Sequence, residues 1–331
     1  MRIPMRKVPR GVVDIACGMG IVVTFLVGLV AGGAGVPLGQ LGPALIHATS
    51  PDLEFLVYGV RLPRMLVAFS TGALLSLAGY LLQTATKNDL ADPGILGVQS
   101  GAGAAVAVYA TFVPISAGAL SYQLPLAALC GSGVAVLLMY GLARTPSGVD
   151  PMRALLIGFG LSIVGSGGMV VIMSYASPDE VNLITAWLSG NIFETTWTFA
   201  ILLTSVVLAG LLCLSFLSRE LDLLSLDDHA AQSLGLHVSW FRAAFLVLST
   251  VFASSAVCAA GAIAFIGLLG PHLAKAVRGP RAEDSLVFAA LGGGWMLLMC
   301  DMIAHAFGLP AGVLTGAAGA PYLLWRLTRS G

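Results

Sequence analysis

Arg61 and Arg64 bracket Pro63 in "RLPRMLVAF", where a long apolar run begins. Proline suits the first turn of a helix because its missing N–H is not needed there, so the pattern predicts a helix that starts here. An arginine binds a carboxylate through two parallel hydrogen bonds, and residues three apart share a helix face. The pair is interpreted either as a docking point for an acidic partner or as an anchor whose long side chains lie along apolar surface.

A lone carboxylate, Asp301, lies well inside a second apolar run in "CDMIAHAF". Carboxylates inside a membrane span are costly and usually functional. Asp301 is predicted to be a structural group that hydrogen-bonds between helices, in preference to a group used in translocation.

Several kinds of chemistry are excluded by what the sequence lacks. None of the three lysines, Lys7, Lys87 and Lys275, lies in a P-loop, so this chain does not bind ATP in that way. HExxH, GxSG and GxGD are absent, which argues against the common intramembrane proteases. The five histidines and five single cysteines show no metal-ligand spacing, so no metal site and no cofactor are predicted. A net charge of zero gives no basic footprint for nucleic acid.

The composition predicts a membrane protein, because only 10% of the 331 residues are charged, against about 25% in soluble domains. A membrane-spanning helix needs about 20 apolar residues. Ten spans are predicted, at 12–34, 64–85, 97–115, 122–143, 153–176, 198–217, 243–261, 262–277, 285–307 and 312–327. The fold class is therefore all-α and polytopic, with one transmembrane domain over 1–331. The first apolar run is interpreted as an uncleaved span, and the glycine in "AAGAIAF" as either a turn or a kink.

Lysine and arginine set the orientation, since they concentrate on the cytoplasmic side of a membrane. With both termini cytoplasmic, every lysine and arginine except Arg61 and Arg64 falls on the inner side. The opening pair is then the exception that faces outward.

The longest polar stretch, 218–242, falls on the predicted inner side. Asp227 is positioned to cap a short helix over "DHAAQSL", and Gly235 to end that helix. The stretch is interpreted either as a plain connector or as a compact ledge that contacts a soluble cytoplasmic protein.

A family resemblance rests on seven motifs that occur in order along nearly the whole chain. They are "RLPR" (61–64), "NDLADPGILGVQSGAG" (88–103), "WLSGNIFETTW" (187–197), "LDDHAAQSLGL" (226–236), "GAIAFIGLLGPHLAKAVRGP" (261–280), "CDMIAHAF" (300–307) and "LPAGVLTGAAGAPYLLW" (309–325). Together they resemble the permease subunits of type II ABC importers, which carry ferric siderophores, haem or vitamin B12.

The resemblance implies an assembly in the cell (inner, cytoplasmic) membrane. It consists of a second permease subunit, identical or paralogous, two ATPase subunits below and an extracytoplasmic substrate-binding protein above. It implies that Arg61 and Arg64 meet acidic residues of the binding protein. His305 stands where some relatives carry another outward arginine, which leaves a third docking charge in question. The residues implied to seat in the ATPase are Asp227, Asp228, Ala231, Leu234 and Gly235.

The substrate implied by the resemblance is an iron chelate, most similar in "WLSGNIFETTW" and "GLPAG" to the hydroxamate-siderophore branch. Haem or vitamin B12 is the alternative. A large chelate needs a wide path with few strong contacts, and small or soft residues of span five would suit its lining. The candidates are Gly165, Gly168, Met169 and Met173, although helix packing would also explain these glycines. A secondary transporter driven by an ion gradient is the rival class, and it would need paired intramembrane charges.

Overall fold

The computed structural model describes residues 10–30, 50–114, 122–145, 148–192 and 195–330. The basic N-terminus and the predicted span ends at 31–34 and 115 lie outside these residues. The helices are α1 Arg10–Val30, α2 Pro51–Thr86, α3 Val98–Phe112, α4 Leu124–Ala143, α5 Pro151–Met173, α6 Pro178–Leu188, α7 Trp197–Phe216, α8 Ser218–Leu224, α9 Asp228–Ser233, α10 Val238–Ala260, α11 Ile266–Arg278, α12 Ala282–Ala306 and α13 Ala311–Ser330. A 3-10 turn covers Pro93–Leu96, and β1 (Arg144–Thr145) pairs antiparallel with β2 (Gly148–Val149).

The described part of the chain is an all-α membrane protein, as predicted. Seven of its helices, α1, α2, α4, α5, α7, α10 and α12, are long and apolar enough to cross a membrane. Each of the other predicted spans also contains a helix, but α3 has 15 residues and α11 has 13, fewer than the roughly 20 needed to cross. The total of ten crossings and the cytoplasmic position of both termini stay predictions.

Helix α2 forms the centre of the fold, with α10, α11 and α12 packed around it. Close approach is possible because glycines meet backbone at the crossings. A Cβ on Gly79 would overlap the carbonyl of Gly267 in α11, and a Cβ on Gly72 would overlap that of Gly293 in α12. Small residues allow such contacts between membrane helices. As a result α2 is buried along most of its length.

The regular α-helical part of α2 begins at Leu62 with Pro63 in its first turn, as predicted, but the helix also extends upstream to Pro51. Proline removes a backbone donor and crowds the carbonyl four residues before it, and the helix widens into a π-helical segment over Phe55–Arg61 to accommodate it. The Leu62 N–H donates to the carbonyl of Val57, whereas in a regular α-helix it would donate to the carbonyl of Tyr58. The Trp197 indole N–H donates to that carbonyl at 2.7 Å.

The "AAGAIAF" segment separates two helices, so the turn and not the kink is the correct alternative. α10 ends at Ala260 and α11 starts at Ile266. The bridge needs positive φ at Gly261 (71°) and Phe265 (68°). Non-helical backbone inside a membrane protein must find partners within the protein, and the Gln99 side-chain amide donates to the Ile263 carbonyl at 2.7 Å.

A helix that the sequence did not predict, α6, follows α5. Ser177 and Glu180 form a reciprocal capping box at its N-terminus, which satisfies two of the free backbone donors there.

Candidate functional site

Arg64 and Asp301 form a two-pronged ion pair between α2 and α12. The Arg64 Nε and Nη2 donate to the two Asp301 carboxylate oxygens at 3.0 and 2.9 Å. The Asp301 side chain is 5% exposed and that of Arg64 is 25% exposed. A buried carboxylate needs a paired charge, and the fold supplies one from the motif that opened the analysis. Because α2 begins upstream, neither arginine lies at the positive end of a helix dipole.

Arg61 lies in a different environment from Arg64. Its side chain is buried, and its Nη1 donates to the carbonyl of Leu29, near the C-terminal end of α1. Cations near a helix C-terminus are favourable because the last carbonyls lack helical partners. Arg61 therefore joins α1 to α2, and little of its surface is left for an external partner in this conformation.

Arg64 lines a cavity of about 760 Å³ at the end of the helices that includes the π-helical segment. His305, four residues after Asp301, also lines it. The cavity residues are Phe55, Gly59, Val60, Arg64, Asn191, Ile192, Thr195, His305, Gly308, Leu309 and Pro310. Two of the three docking residues predicted from the sequence thus share one cavity, whereas Arg61 does not line it.

At the opposite end of α2, residues 218–242 form an ordered helical ledge made of α8, α9 and the start of α10. Asp227 caps α9, accepting from the His229 N–H at 3.1 Å. α9 ends as the sequence predicts, at Gly235 with φ of 88°. The Gly235 N–H bonds to the Gln232 carbonyl and the Leu236 N–H to the Ala231 carbonyl. This pair of bonds is a Schellman motif.

Asp228 joins the ledge to the helices behind it. Its carboxylate accepts from Arg242 Nη2 at 2.8 Å and Nη1 at 3.2 Å, and it also pairs with Lys87, at the C-terminal end of α2. Hydrogen bonds from Arg242 and then Lys87 lower the pKa of Asp228 to about 2. Arg242 also donates to the Ala85 carbonyl at 3.1 Å, so one guanidinium binds both the end of α2 and the ledge.

The apolar side chains of the ledge divide between a buried floor and an exposed surface. Ala231 is buried, and so is Leu236. Leu226, Leu234 and Trp240 are exposed, and the space around Gly235 is open. Of the five residues predicted to seat in an ATPase, Asp227, Leu234 and Gly235 are exposed and Asp228 is partly exposed. Ala231 is buried and packs within the ledge.

The four candidates for the translocation path also divide between packed and open positions. Met169 is buried in a small cluster with Ala107 and Ile184, and Met173 packs against that cluster. A Cβ on Gly165 would lie 3.1 Å from the Ser100 side chain of α3, while one on Gly168 would meet nothing within 4 Å. Three of these residues therefore pack α5 against its neighbours, and Gly168 alone faces open space.

Comparison with known proteins assigns this architecture. The model of the FecCD transport family matches residues 20–329. The chain belongs to the FecCD transport family. It is 34% identical over 319 residues to the iron(3+)-hydroxamate import system permease protein of Bacillus subtilis, covering 94% of each chain. It is 35% identical over 297 residues to the Fe(3+) dicitrate transport system permease protein FecC of Escherichia coli, covering 87% of this chain and 88% of that one.

A similar fold is found among the solved structures. A metal-chelate type ABC transporter in an inward-facing conformation superposes with a TM-score of 0.81 at 25% identity, covering 97% of this chain and 99% of that one. The hydroxamate and dicitrate relatives are almost equally similar to this chain, so overall identity does not distinguish their chelates. The predicted preference for hydroxamates stays a prediction.

Sequence reasoning did not identify four residues of these two sites. Lys87 and Arg242 hold Asp228, and Asn191 and Thr195 line the cavity. Asn191 and Thr195 lie within the quoted "WLSGNIFETTW", where polar residues next to an apolar helix were the available signal. Lys87 lies 141 positions before Asp228, and Arg242 lies 14 positions after it. No local spacing in the sequence therefore indicated that they pair with Asp228.

Proposed function

We propose that this FecCD chain is the permease subunit of an ATP-driven importer that moves a ferric chelate, most simply a ferric siderophore, across the inner membrane. The match of the family model over residues 20–329 carries the proposal. The chain supplies the membrane path, and a separate ATPase subunit hydrolyses ATP. Haem or vitamin B12 is the alternative cargo within the same mechanism.

The helical ledge is the proposed seat for the ATPase. Leu234 and Gly235 are accessible at the end of α9, and Leu226 is exposed just before α9 begins. Exposed apolar groups rimmed by polar residues are typical of a protein-binding surface. Asp228, held by Lys87 and Arg242, links α9 to α2 and α10. A displacement of the ledge would therefore be transmitted directly to α2 and α10.

The cavity end is the proposed face for the extracytoplasmic binding protein. Arg64 and His305 supply positive or donor groups there, and docking charges mainly set orientation and association rate. The docking prediction now falls on these two residues, because Arg61 is buried against α1. The predicted role of Arg61 is changed accordingly, to holding α2 in place beneath that face.

A second permease subunit would cover the exposed face of α5. Val164, Val170 and Leu156 are exposed on this helix, and the space beside Gly168 is open. A path between two subunits would be lined from this face. The buried Met169 would then support the lining without touching the cargo.

Reconstitution with the ATPase and the binding protein tests the proposal. In proteoliposomes loaded with ATP, uptake of ⁵⁵Fe-labelled chelate should require all three components. An ion-gradient transporter would instead take up chelate without ATPase and stop when an uncoupler is added. Uptake that survives omission of the ATPase, or that never occurs with any ferric chelate, haem or cobalamin, would refute the importer.

A further inference from the structure

An apolar groove lies where α4, α7 and α10 meet. Its volume is about 480 Å³, and every side chain that lines it is aliphatic, aromatic or a thiol. The lining on α10 runs from Trp240 to Val251, a distance of roughly 16 Å at 1.5 Å per residue. This is about half of the hydrocarbon core of a bilayer, which is roughly 30 Å thick, so the groove extends over about one leaflet. Other parts of its wall are Tyr140 of α4, Cys213 of α7 and Leu217.

Two arginines lie at the end of the groove that adjoins the ledge. Arg144 directly follows α4, four residues after Tyr140, and β2, which pairs with it, contacts α10. Arg219 lies in α8, two residues after Leu217. Both arginines are exposed, and neither forms an ion pair within the described residues.

The acidic residues near these arginines are turned toward other parts of the protein. The Asp222 carboxylate accepts from the Ala282 N–H of α12 at 2.7 Å, and one carboxylate oxygen of Glu220 is buried. Asp150, which follows β2, caps α5 by accepting from the Arg153 N–H at 3.0 Å. The exposed charge at this end of the groove is therefore mainly positive.

Trp240 adds an aromatic donor at the same end of the groove. Its side chain is 64% exposed although it lines the groove, and its indole N–H is a hydrogen-bond donor. Tryptophan is enriched where a membrane meets water, because its ring is apolar and its N–H is polar. Two guanidinium groups and an indole at the end of an apolar groove match the chemistry of a phosphate that is joined to an acyl chain.

We propose that this groove binds one anionic phospholipid of the cytoplasmic leaflet. An acyl chain lies along α10, and the headgroup phosphate binds Arg144, Arg219 and the Trp240 indole. Basic residues beside membrane helices on the cytoplasmic side attract anionic lipids. The choice of leaflet rests on the proposed function, which places the ledge on the cytoplasmic side. The site is separate from the proposed subunit contacts, because neither α5 nor α9 lines the groove.

Native mass spectrometry of the full chain, purified in a mild detergent and titrated with lipid, tests the site. The probes are phosphatidylglycerol, which is anionic, and phosphatidylcholine with the same acyl chains, which is neutral overall. The first phosphatidylglycerol should bind at least tenfold more tightly than the first phosphatidylcholine. Arg144→Gln and Arg219→Gln should each weaken that binding about fivefold, the usual effect of one basic residue near an anionic headgroup. Arg281→Gln removes an exposed arginine that lies outside the groove, and it should leave the first binding step unchanged.

The acyl-chain part of the site has its own variant. Ala244 lines the groove, so Ala244→Trp should fill it and weaken the first binding step of both lipids at least tenfold. Ala276→Trp places the same side chain at an exposed position of α11 outside the groove, and it should bind lipid like the parent.

Three results would overturn the lipid site. They are equal binding of the two lipids by the parent, parent-like phosphatidylglycerol binding by both arginine variants, and an equal loss in Arg281→Gln. The arginine variants change exposed side chains, so they keep the test decisive even if Ala244→Trp does not fold. The titration needs neither ATPase nor chelate, so its outcome is independent of the uptake assay. ATP-driven uptake without specific lipid binding would leave the importer function standing, and specific lipid binding without uptake would leave the lipid site standing.

Discussion

At the scale of single residues, the buried charges Asp301 and Arg61 are stabilised in different ways. Asp301 is buried in α12 and is neutralised by Arg64, while Arg61 is buried and donates to the Leu29 carbonyl. A buried charge that loses its partner is costly because it cannot recover its hydration. The two arginines of one motif therefore have different roles. Arg61 joins α2 to α1, whereas Arg64 joins α2 to α12.

Coupling between Arg64 and Asp301 should be measurable in a double-mutant cycle. Asp301→Leu strands the guanidinium, and Arg64→Leu strands the carboxylate, so each should lower the free energy of unfolding by about 1–2 kcal/mol, near the upper range for polar contacts between membrane helices. The double variant should lose less than the sum of the two. Unfolding by sodium dodecyl sulfate in mixed micelles provides the measurement. Strict additivity would mean that the pair adds nothing beyond its separate groups.

At the scale of elements, the ledge contains a short helix, α9, that would be unstable alone, since isolated helices of fewer than about 12 residues are marginal in water. α9 has six residues, and it is ordered by Asp227 at its start, by the Schellman turn at its end and by Asp228 along its side. These contacts allow the ledge to present Leu234 in a fixed position. They also make it sensitive to single changes.

Gly235 provides a test of that geometry. Its φ of 88° is strained for most L-residues, but asparagine tolerates the left-handed region. Gly235→Trp adds strain and a bulky group at the accessible tip, so the ATPase should no longer co-purify although the permease stays folded. Gly235→Asn should retain most of the ATPase. Equal ATPase stoichiometry in the two variants, measured on affinity-purified complex, would place the coupling surface elsewhere.

Asp228 gives the ledge a defined pH dependence. Its pKa falls from 3.8 to about 2 through Arg242 and Lys87, so the bond to them contributes fully above about pH 4 and is lost as the pH falls toward 2. Between pH 5 and 8 the wild-type ledge should show no titration from this group. Asp228→Asn should raise hydrogen exchange of the α9 amides at pH 7. Asp179→Asn, an exposed carboxylate on α6, is the matched control, and exchange that rises equally in both variants would contradict the assignment.

How far the sequence predicted these elements depends on the range of the interactions. The cap at Asp227 and the end at Gly235 were predictable because a helix terminus is decided by residues within a few positions. The start of α2 was not predictable, because a π-helical segment accommodates Pro63 within the helix. The Tyr58 carbonyl of that segment accepts a hydrogen bond from Trp197, which is distant in the sequence. The Arg64–Asp301 pair joins residues 237 positions apart, and the sequence supplied both groups without a signal that they meet.

At the scale of the whole molecule, α2 connects the two sites. Arg64 lies near its cavity end, and Lys87 follows its last turn. At 1.5 Å per residue the helical path between them is roughly 35 Å. A helix that is buried along most of its length moves together with its neighbours, so a displacement at the ledge and one at the cavity are coupled through its packing against α10, α11 and α12.

That packing is tight enough to test with one methyl group. A Cβ on Gly79 would overlap the Gly267 carbonyl, which is backbone and cannot rotate away, whereas a Cβ on Gly292 in α12 would meet nothing within 4 Å. Both glycines are helical, so the same substitution has the same effect on helix propensity. Gly79→Ala should lower the free energy of unfolding by about 1–3 kcal/mol, the usual effect of overpacking. Gly292→Ala should leave it unchanged or raise it by up to about 1 kcal/mol. Mixed-micelle unfolding of the two variants measures the difference, and equal stability would show that α2 and α11 can separate without loss.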